Sequence, residues 1–182
     1  MDIKKTIKKS YKIVYECMHQ WENPRYCWKL RDKYHTSKGM KKFIYLQLWK
    51  RAIKKYGSII PLKVEFAGEP DFPHGFFGVF ISSGAKIGSN CTIFHQVTIG
   101  SNTLLDTKKA GAPTIGNNVY IGAGAKIIGG VHIGNNVRIG ANCVVTKDIS
   151  DNCTVVLPAP RIIERDIPMN NKFIGWESFQ NS

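Results

Sequence analysis

Five histidines are the side chains best suited to move a proton near neutral pH, since a free imidazole titrates at about 6.5. They stand at His19, His35, His74, His95 and His132. His19 and His35 lie in a lysine-rich stretch and read as solvated or interfacial, while His132, in VHIGNN, reads as a surface corner. His95, in TIFHQVTIG, points outward from a repeating unit and is placed to line a cleft. His74 is the sharpest candidate for a general base, because it sits between Pro73 and Gly75 where a sequence period breaks. Such a base needs a partner to orient it. The nearby acids are Glu65, Glu69 and Asp71, and Glu69 and Asp71 are the candidates. No metal site is expected: the histidines are scattered, and the five cysteines at 17, 27, 91, 143 and 153 form no C-x-x-C pair.

The elements that must position these residues follow from a period of six. Aliphatic residues recur at Ile81, Ile87, Ile93 and Ile99, then at Ile115, Ile121, Ile127, Ile133, Ile139 and Val145. A small or β-branched residue follows four positions later, as at Ala85, Cys91, Val97, Val119, Ala125, Val131, Val137 and Cys143. A helix repeats at 3.6 and a lone strand at 2, so a strict six means a short strand and a turn, stacked coil upon coil. A β-sandwich would space its strands by about 8–12 residues instead. The period extends back through Ile60, Phe66 and Phe72 and then breaks twice. Phe72 to Ile81 is nine residues and holds His74. Ile99 to Ile115 is sixteen rather than twelve, which predicts that Thr103 to Pro113 (TLLDTKKAGAP) loops out. Departures from a repeat are where function concentrates, because regular coils are occupied with stability.

The runs GVFISSGAKIGSNCTIFHQVTIG and IGNNVYIGAGAKIIGGVHIGNNVRIGANCVVTKDI resemble the hexapeptide-repeat acyltransferases. The nearest branch is the serine acetyltransferases and the O-acetyltransferases of surface polysaccharides, over about residues 59–163. The resemblance implies a mainly β fold, a left-handed parallel β-helix, forming a homotrimer with acetyl-CoA in clefts between subunits. It makes His74, four residues before Gly78, the base that deprotonates an acceptor hydroxyl. From their positions beside the expected cleft, His95, Phe76 and Phe77 are the residues expected to meet the acceptor. For the acetyl-CoA it implies Ala123, Ala141, Thr146 and Lys147 along the pantetheine and Arg161 at the phosphates, with Arg138 as a helper. In serine acetyltransferases an Asp precedes the catalytic His, and an Arg-His-Pro triplet in the loop grips the amino-acid carboxylate. Here those positions are Pro73 and Gly111-Ala112-Pro113. The expectation is therefore transfer to a sugar hydroxyl of a polysaccharide or its precursor, stacked on aromatics such as Phe76, Phe77 and Phe94. Serine acetylation is the alternative within the class, and a non-catalytic assembly or membrane-docking module the alternative outside it.

The net charge of +13 is uneven. Residues 1–56 carry 16 Lys or Arg and 4 acids, and residues 57–182 carry 10 and 9. The chain thus divides into a basic α-helical segment (1–57), the coil (58–163) and a tail (164–182). Residues 2–21 and 38–56 read as helices. They are expected to cap the coil or pack at the trimer axis, and their lysines raise contact with an anionic membrane as the functional alternative. No nucleic-acid reading motif accompanies the charge, so nucleic acid is not an expected partner. The start of the chain lacks the apolar run and small-residue cleavage site of a signal peptide, and cytoplasmic residence with reduced thiols is expected, at most peripheral to the membrane.

Overall fold

The structure, a computed structural model, describes residues 24–173, Gly175 and Gln180. A six-residue unit is too short for anything but a two- or three-residue strand and a corner, so three units close one turn around a triangular core. Face A holds β2 (Phe80–Ile81), β5 (Thr98–Gly100), β8 (Lys126–Ile128) and β11 (Val144–Val145). Face B holds β1 (Glu65–Phe66), β3 (Lys86–Ile87), β6 (Thr114–Ile115) and β9 (His132–Ile133). Face C holds β4 (Thr92–Ile93), β7 (Tyr120–Ile121), β10 (Arg138–Ile139) and β12 (Thr154–Val155). The pairings between these strands are parallel, and the whole is the coil expected from the repeat, with the left-handed parallel β-helix form that the resemblance implied.

The register shows how the coil absorbs its irregularities. Regular turns step by eighteen residues, as from Thr114 to His132 and from Lys126 to Val144. Glu65 pairs with Lys86, a step of twenty-one, so the interval holding His74 inserts three residues. Thr98 pairs with Lys126, a step of twenty-eight, so the loop inserts ten. β5 leads directly to the next face at β6, and the sixteen residues from Ile99 to Ile115 replace six rather than twelve. The outlooping is real and larger than the count predicted.

Inside the prism Ile93, Ile99, Ile121, Ile127, Ile133 and Ile139 are fully buried and stack coil on coil. Burying each contributes about 1.5–3 kcal/mol relative to exposure. The B–C edge is closed by an asparagine ladder: Asn90 donates to Asn118, Asn118 to Asn136 and Asn136 to Asn152, at 3.0, 2.8 and 2.9 Å. All four have φ between +55° and +61°, a conformation that asparagine tolerates better than most residues. Beside them coils approach so closely that a Cβ on Gly116 would lie 2.8 Å from the Gly134 carbonyl.

Two helices, α1 (Pro24–Thr36) and α2 (Gly39–Lys55), close the first coil. α2 matches the helix read from sequence; the helix read at 2–21 lies outside the described residues. α1 went unpredicted, although Pro24 at its first position is a common helix opening. Trp49 of α2 donates its indole N–H to the Ile60 carbonyl at 3.0 Å, and Trp28 of α1 packs edge-on against Phe66, with centroids 4.9 Å apart. Tyr45, Trp49, Ala52 and Ile53 are buried, whereas Met40 and Phe43 at the start of the same helix are exposed, so the later turns of α2 carry this contact.

The stacked isoleucines give the first prediction. Ile121→Ala should lower unfolding stability by about 2–5 kcal/mol, read by denaturant titration, because the neighbouring coils hold the cavity open.

Candidate active site

The three-residue insertion bends the chain out of face C just after Asp71 and returns it at Val79. Gly75 and Gly78 take positive φ (70° and 63°) to make this bulge, and the Gly75 N–H donates to the Phe72 carbonyl at 2.9 Å. Ser58 pins the bulge from inside: its hydroxyl donates to the Phe76 carbonyl and accepts the Val79 N–H at 3.0 Å. Sequence reading passed over Ser58, whose buried hydroxyl is visible only in three dimensions. His74 emerges exposed from the bulge.

One coil on, His95 occupies the C–A corner between β4 and β5. The Nδ1 atoms of His74 and His95 are 2.9 Å apart, a hydrogen-bond separation, with ring centroids 4.9 Å apart and planes tilted by 36°. Phe94 meets His74 edge-on at 5.1 Å and continues to Tyr120 at 5.1 Å. The His95 corner is itself rigid. Gln96 N–H donates to the Phe77 carbonyl at 2.7 Å and Gly124 N–H to the His95 carbonyl at 3.0 Å. Lys126, which sequence reading did not single out, donates its ammonium to the Gln96 and Gly124 carbonyls at 2.7 and 2.8 Å.

The carboxylates fall elsewhere. Asp71 is a strand residue: its N–H donates to the Cys91 carbonyl at 2.8 Å and its carbonyl accepts from Ile93 at 2.9 Å. Glu69 and Asp71 line a cleft with Arg25, Trp28 and Phe72. Among the described residues neither is hydrogen-bonded to His74, whose Nδ1 faces His95 instead. Phe76 departs further from expectation. It is fully buried, with its ring 4.6 Å from Phe72 and 5.4 Å from Tyr56. It belongs to the core under the helical cap and cannot stack on a ligand. Phe77 is 55% exposed and packs one side on Tyr56 at 4.8 Å.

The residues expected along the cofactor divide between two edges of the prism. Ala123 and Ala141 lie on the C–A edge directly below His95, as the Asn142 N–H to Ala123 carbonyl bond of 2.8 Å confirms. Ala123 is half-buried and Ala141 exposed, so the edge below the histidines presents a low wall of small side chains. Thr146 and Lys147 lie on the A–B edge instead, beside the inserted loop. Arg161 follows the last coil, exposed. Lys147, Arg161 and Arg138 make no ion pair among the described residues and remain available to phosphate oxygens. No group of three potential metal ligands occurs among the described residues.

The inserted loop is held, not loose. Asn102 and Gly111 bond both ways at 2.8 and 2.7 Å, and Gly130 N–H donates to the Lys109 carbonyl at 2.8 Å. Lys109, within the loop, pairs with Asp148 at 2.6 Å. Asp148 also accepts the His132 N–H at 2.8 Å. The Lys109 contact, then that N–H, hold the Asp148 carboxyl below the usual carboxylate range.

Residues 112–147 match the bacterial transferase hexapeptide family (six repeats). Serine acetyltransferases of Synechococcus elongatus and Helicobacter pylori are 46% and 41% identical over 92 and 93 residues, half of this chain and 36% and 53% of theirs. Among solved structures, a soybean serine acetyltransferase complexed with serine matches at TM-score 0.57 and 31% identity, over 72% of this chain and 53% of that one. The Brucella abortus enzyme matches at TM-score 0.60 and 27% identity, over 75% and 55%. The chain thus spans less than two thirds of the length of these relatives.

A depressed carboxyl stabilises its contacts above its unfolded pKa and loses them as pH falls through the folded one. Protection of the amides of residues 103–111, taken relative to the intrinsic exchange rate at each pH, should therefore be kept at neutral pH and fall once the pH drops below the ordinary carboxylate range. Asp148→Asn should produce the same loss of protection at neutral pH, read by hydrogen–deuterium exchange.

Proposed function

Starting from a coil that is of the hexapeptide-repeat acyltransferase superfamily and serine acetyltransferase-like, we propose that this chain is an acetyl-CoA-dependent O-acetyltransferase with His74 as general base. The observation that carries the reading is His74 itself. It stands exposed on a pinned bulge, engaged at Nδ1, above an edge of small residues on which a long thin thioester can lie. Nε2 takes the proton of the acceptor hydroxyl as its oxygen attacks the thioester carbonyl. The C–S bond then breaks, and the same nitrogen returns the proton to the departing thiolate.

The division of the cofactor residues supports a homotrimer. Ala123 and Ala141 on the C–A edge cannot form one groove with Lys147 on the A–B edge of the same prism. Setting the A–B edge of a second copy against the first brings the two sets together, with acetyl-CoA in the cleft between them. Lys147, Arg161 and Arg138 then meet its phosphates as point charges or planar forks.

For the acceptor, the relatives favour the hydroxyl of L-serine over the sugar hydroxyl expected from the sequence: several carry the name serine acetyltransferase, and two of the matched structures hold serine. They lend nothing to a non-catalytic module. One observation sustains a second reading, a small hydroxyl compound without a carboxylate. Gly111, Ala112 and Pro113 offer no cation, and Lys109 of the same loop is committed to Asp148. The membrane contact suggested by the lysines of residues 1–56 finds no support in the relatives. No helix among the described residues is long and apolar enough to cross a membrane.

Release of CoA from acetyl-CoA with L-serine, against a panel of sugars, tests the reading. Turnover with L-serine is expected, and His74→Ala should reduce it by about 10²–10⁴-fold. Turnover with sugars alone would move the acceptor to the second reading. A His74→Ala variant with full activity would remove His74 as the base.

A further inference from the structure

We propose that His95 is the positioning residue for His74, standing where a carboxylate would otherwise hold the base; the inference rests on the acetyltransferase reading above. Two nitrogens 2.9 Å apart share one proton. If that proton belongs to His95, neutral His74 carries its own hydrogen on Nε2 and cannot accept another there. If it belongs to His74, Nδ1–H donates to the Nδ1 lone pair of His95 and Nε2 is free to act as base. Only the second arrangement is competent. His95 sets that arrangement when its own hydrogen is on Nε2, leaving its Nδ1 as the acceptor and placing no negative charge in the site.

The pair also disperses the charge of the reaction. When Nε2 of His74 takes the hydroxyl proton, the bridging proton can pass from His74 Nδ1 to His95 Nδ1, leaving His74 neutral and His95 cationic. When the thiolate leaves, Nε2 gives up its proton and the bridging proton returns. No atom or charge is left over. The assignment of base to His74 rather than His95 follows from access: His74 is exposed, whereas His95 is half-buried. Both rings are held by backbone. The His95 corner is bonded to Phe77, Gly124 and Lys126, and the His74 bulge to Phe72 and, through Ser58, to its own return. Sub-ångström placement is the condition for an orienting hydrogen bond to matter in catalysis.

The titratable and charged groups around the pair are few. Lys126 is spent on the Gln96 and Gly124 carbonyls, Tyr120 stacks on Phe94, and Asp71 precedes the bulge in face C. Each imidazole is therefore the other's nearest titratable neighbour, at 2.9 Å.

The test compares His95→Asn, whose side-chain oxygen can replace Nδ1 as acceptor, with His95→Leu, which cannot. Using the full chain, acetyl-CoA and the acceptor it turns over, His95→Leu should lose about 10²-fold or more in kcat with both KM values little changed. His95→Asn should recover most of that loss. Independently of turnover, ¹⁵N-histidine NMR should show His74 protonated on Nδ1 in the wild type, and shifted towards Nε2–H in His95→Leu. Unchanged kcat and unchanged His74 nitrogen shifts in His95→Leu would overturn the proposal. A loss confined to the acceptor KM would also overturn it, by making His95 an acceptor contact. If the wild type transfers acetyl to nothing, the acetyltransferase reading fails, and the NMR result still decides the pair.

Discussion

Everything in this molecule depends on one constraint: each six-residue unit must return its aliphatic side chain to the same interior line. Ile121 sits under Ile93 and over Ile139, and the parallel pairing of β4, β7 and β10 leaves no freedom to slip. A register slip of one residue would turn the buried isoleucines outward. The corners are consequently stacked as strictly as the strands. His95 lies over Ala123, and Ala123 over Ala141, because the interior isoleucines lie over one another. The edge proposed to carry the chemistry is thus a by-product of a packing rule.

Function enters where that rule is relaxed without being broken. Three extra residues after Phe72 are enough to lift His74 out of the face while Phe76 and Val79 stay in the core. Ten extra residues after Gly100 build a loop, and the coil resumes on the next face with its register intact. Both departures are secured at once, one by Ser58 and the other by Lys109 with Asp148. Neither behaves as a flexible appendage.

Much of this was legible in the sequence because a period of six has a single structural meaning. The coil, the bulge at His74 and the existence of the loop all follow from counting. What counting missed has physical causes. The loop was undercounted because a sixteen-residue gap does not say how many faces it skips. Phe76 and Phe77 are indistinguishable as letters, and only the bulge geometry sends one inward and the other out. Glu69 and Asp71 were chosen by nearness in sequence, whereas the partner that meets His74 comes from the next coil, twenty-one residues on. Lys126 and Lys109 looked like ordinary exposed lysines; their carbonyl and carboxylate partners come from other corners. The acceptor was read from an absent cation at Gly111 and Ala112, a negative signal against which the names of the relatives weigh heavily.

Acetyl-CoA is proposed to lie along the C–A edge, from His74 down to Ala141. Hydrogen–deuterium exchange of the full chain with and without acetyl-CoA tests it directly. Protection should concentrate at Gln96, Gly124 and Asn142 on that edge and at Lys147 on the edge that a second copy would bring to it. Protection centred on the asparagine ladder at Asn118 and Asn136, or no protection at saturating acetyl-CoA, would contradict it.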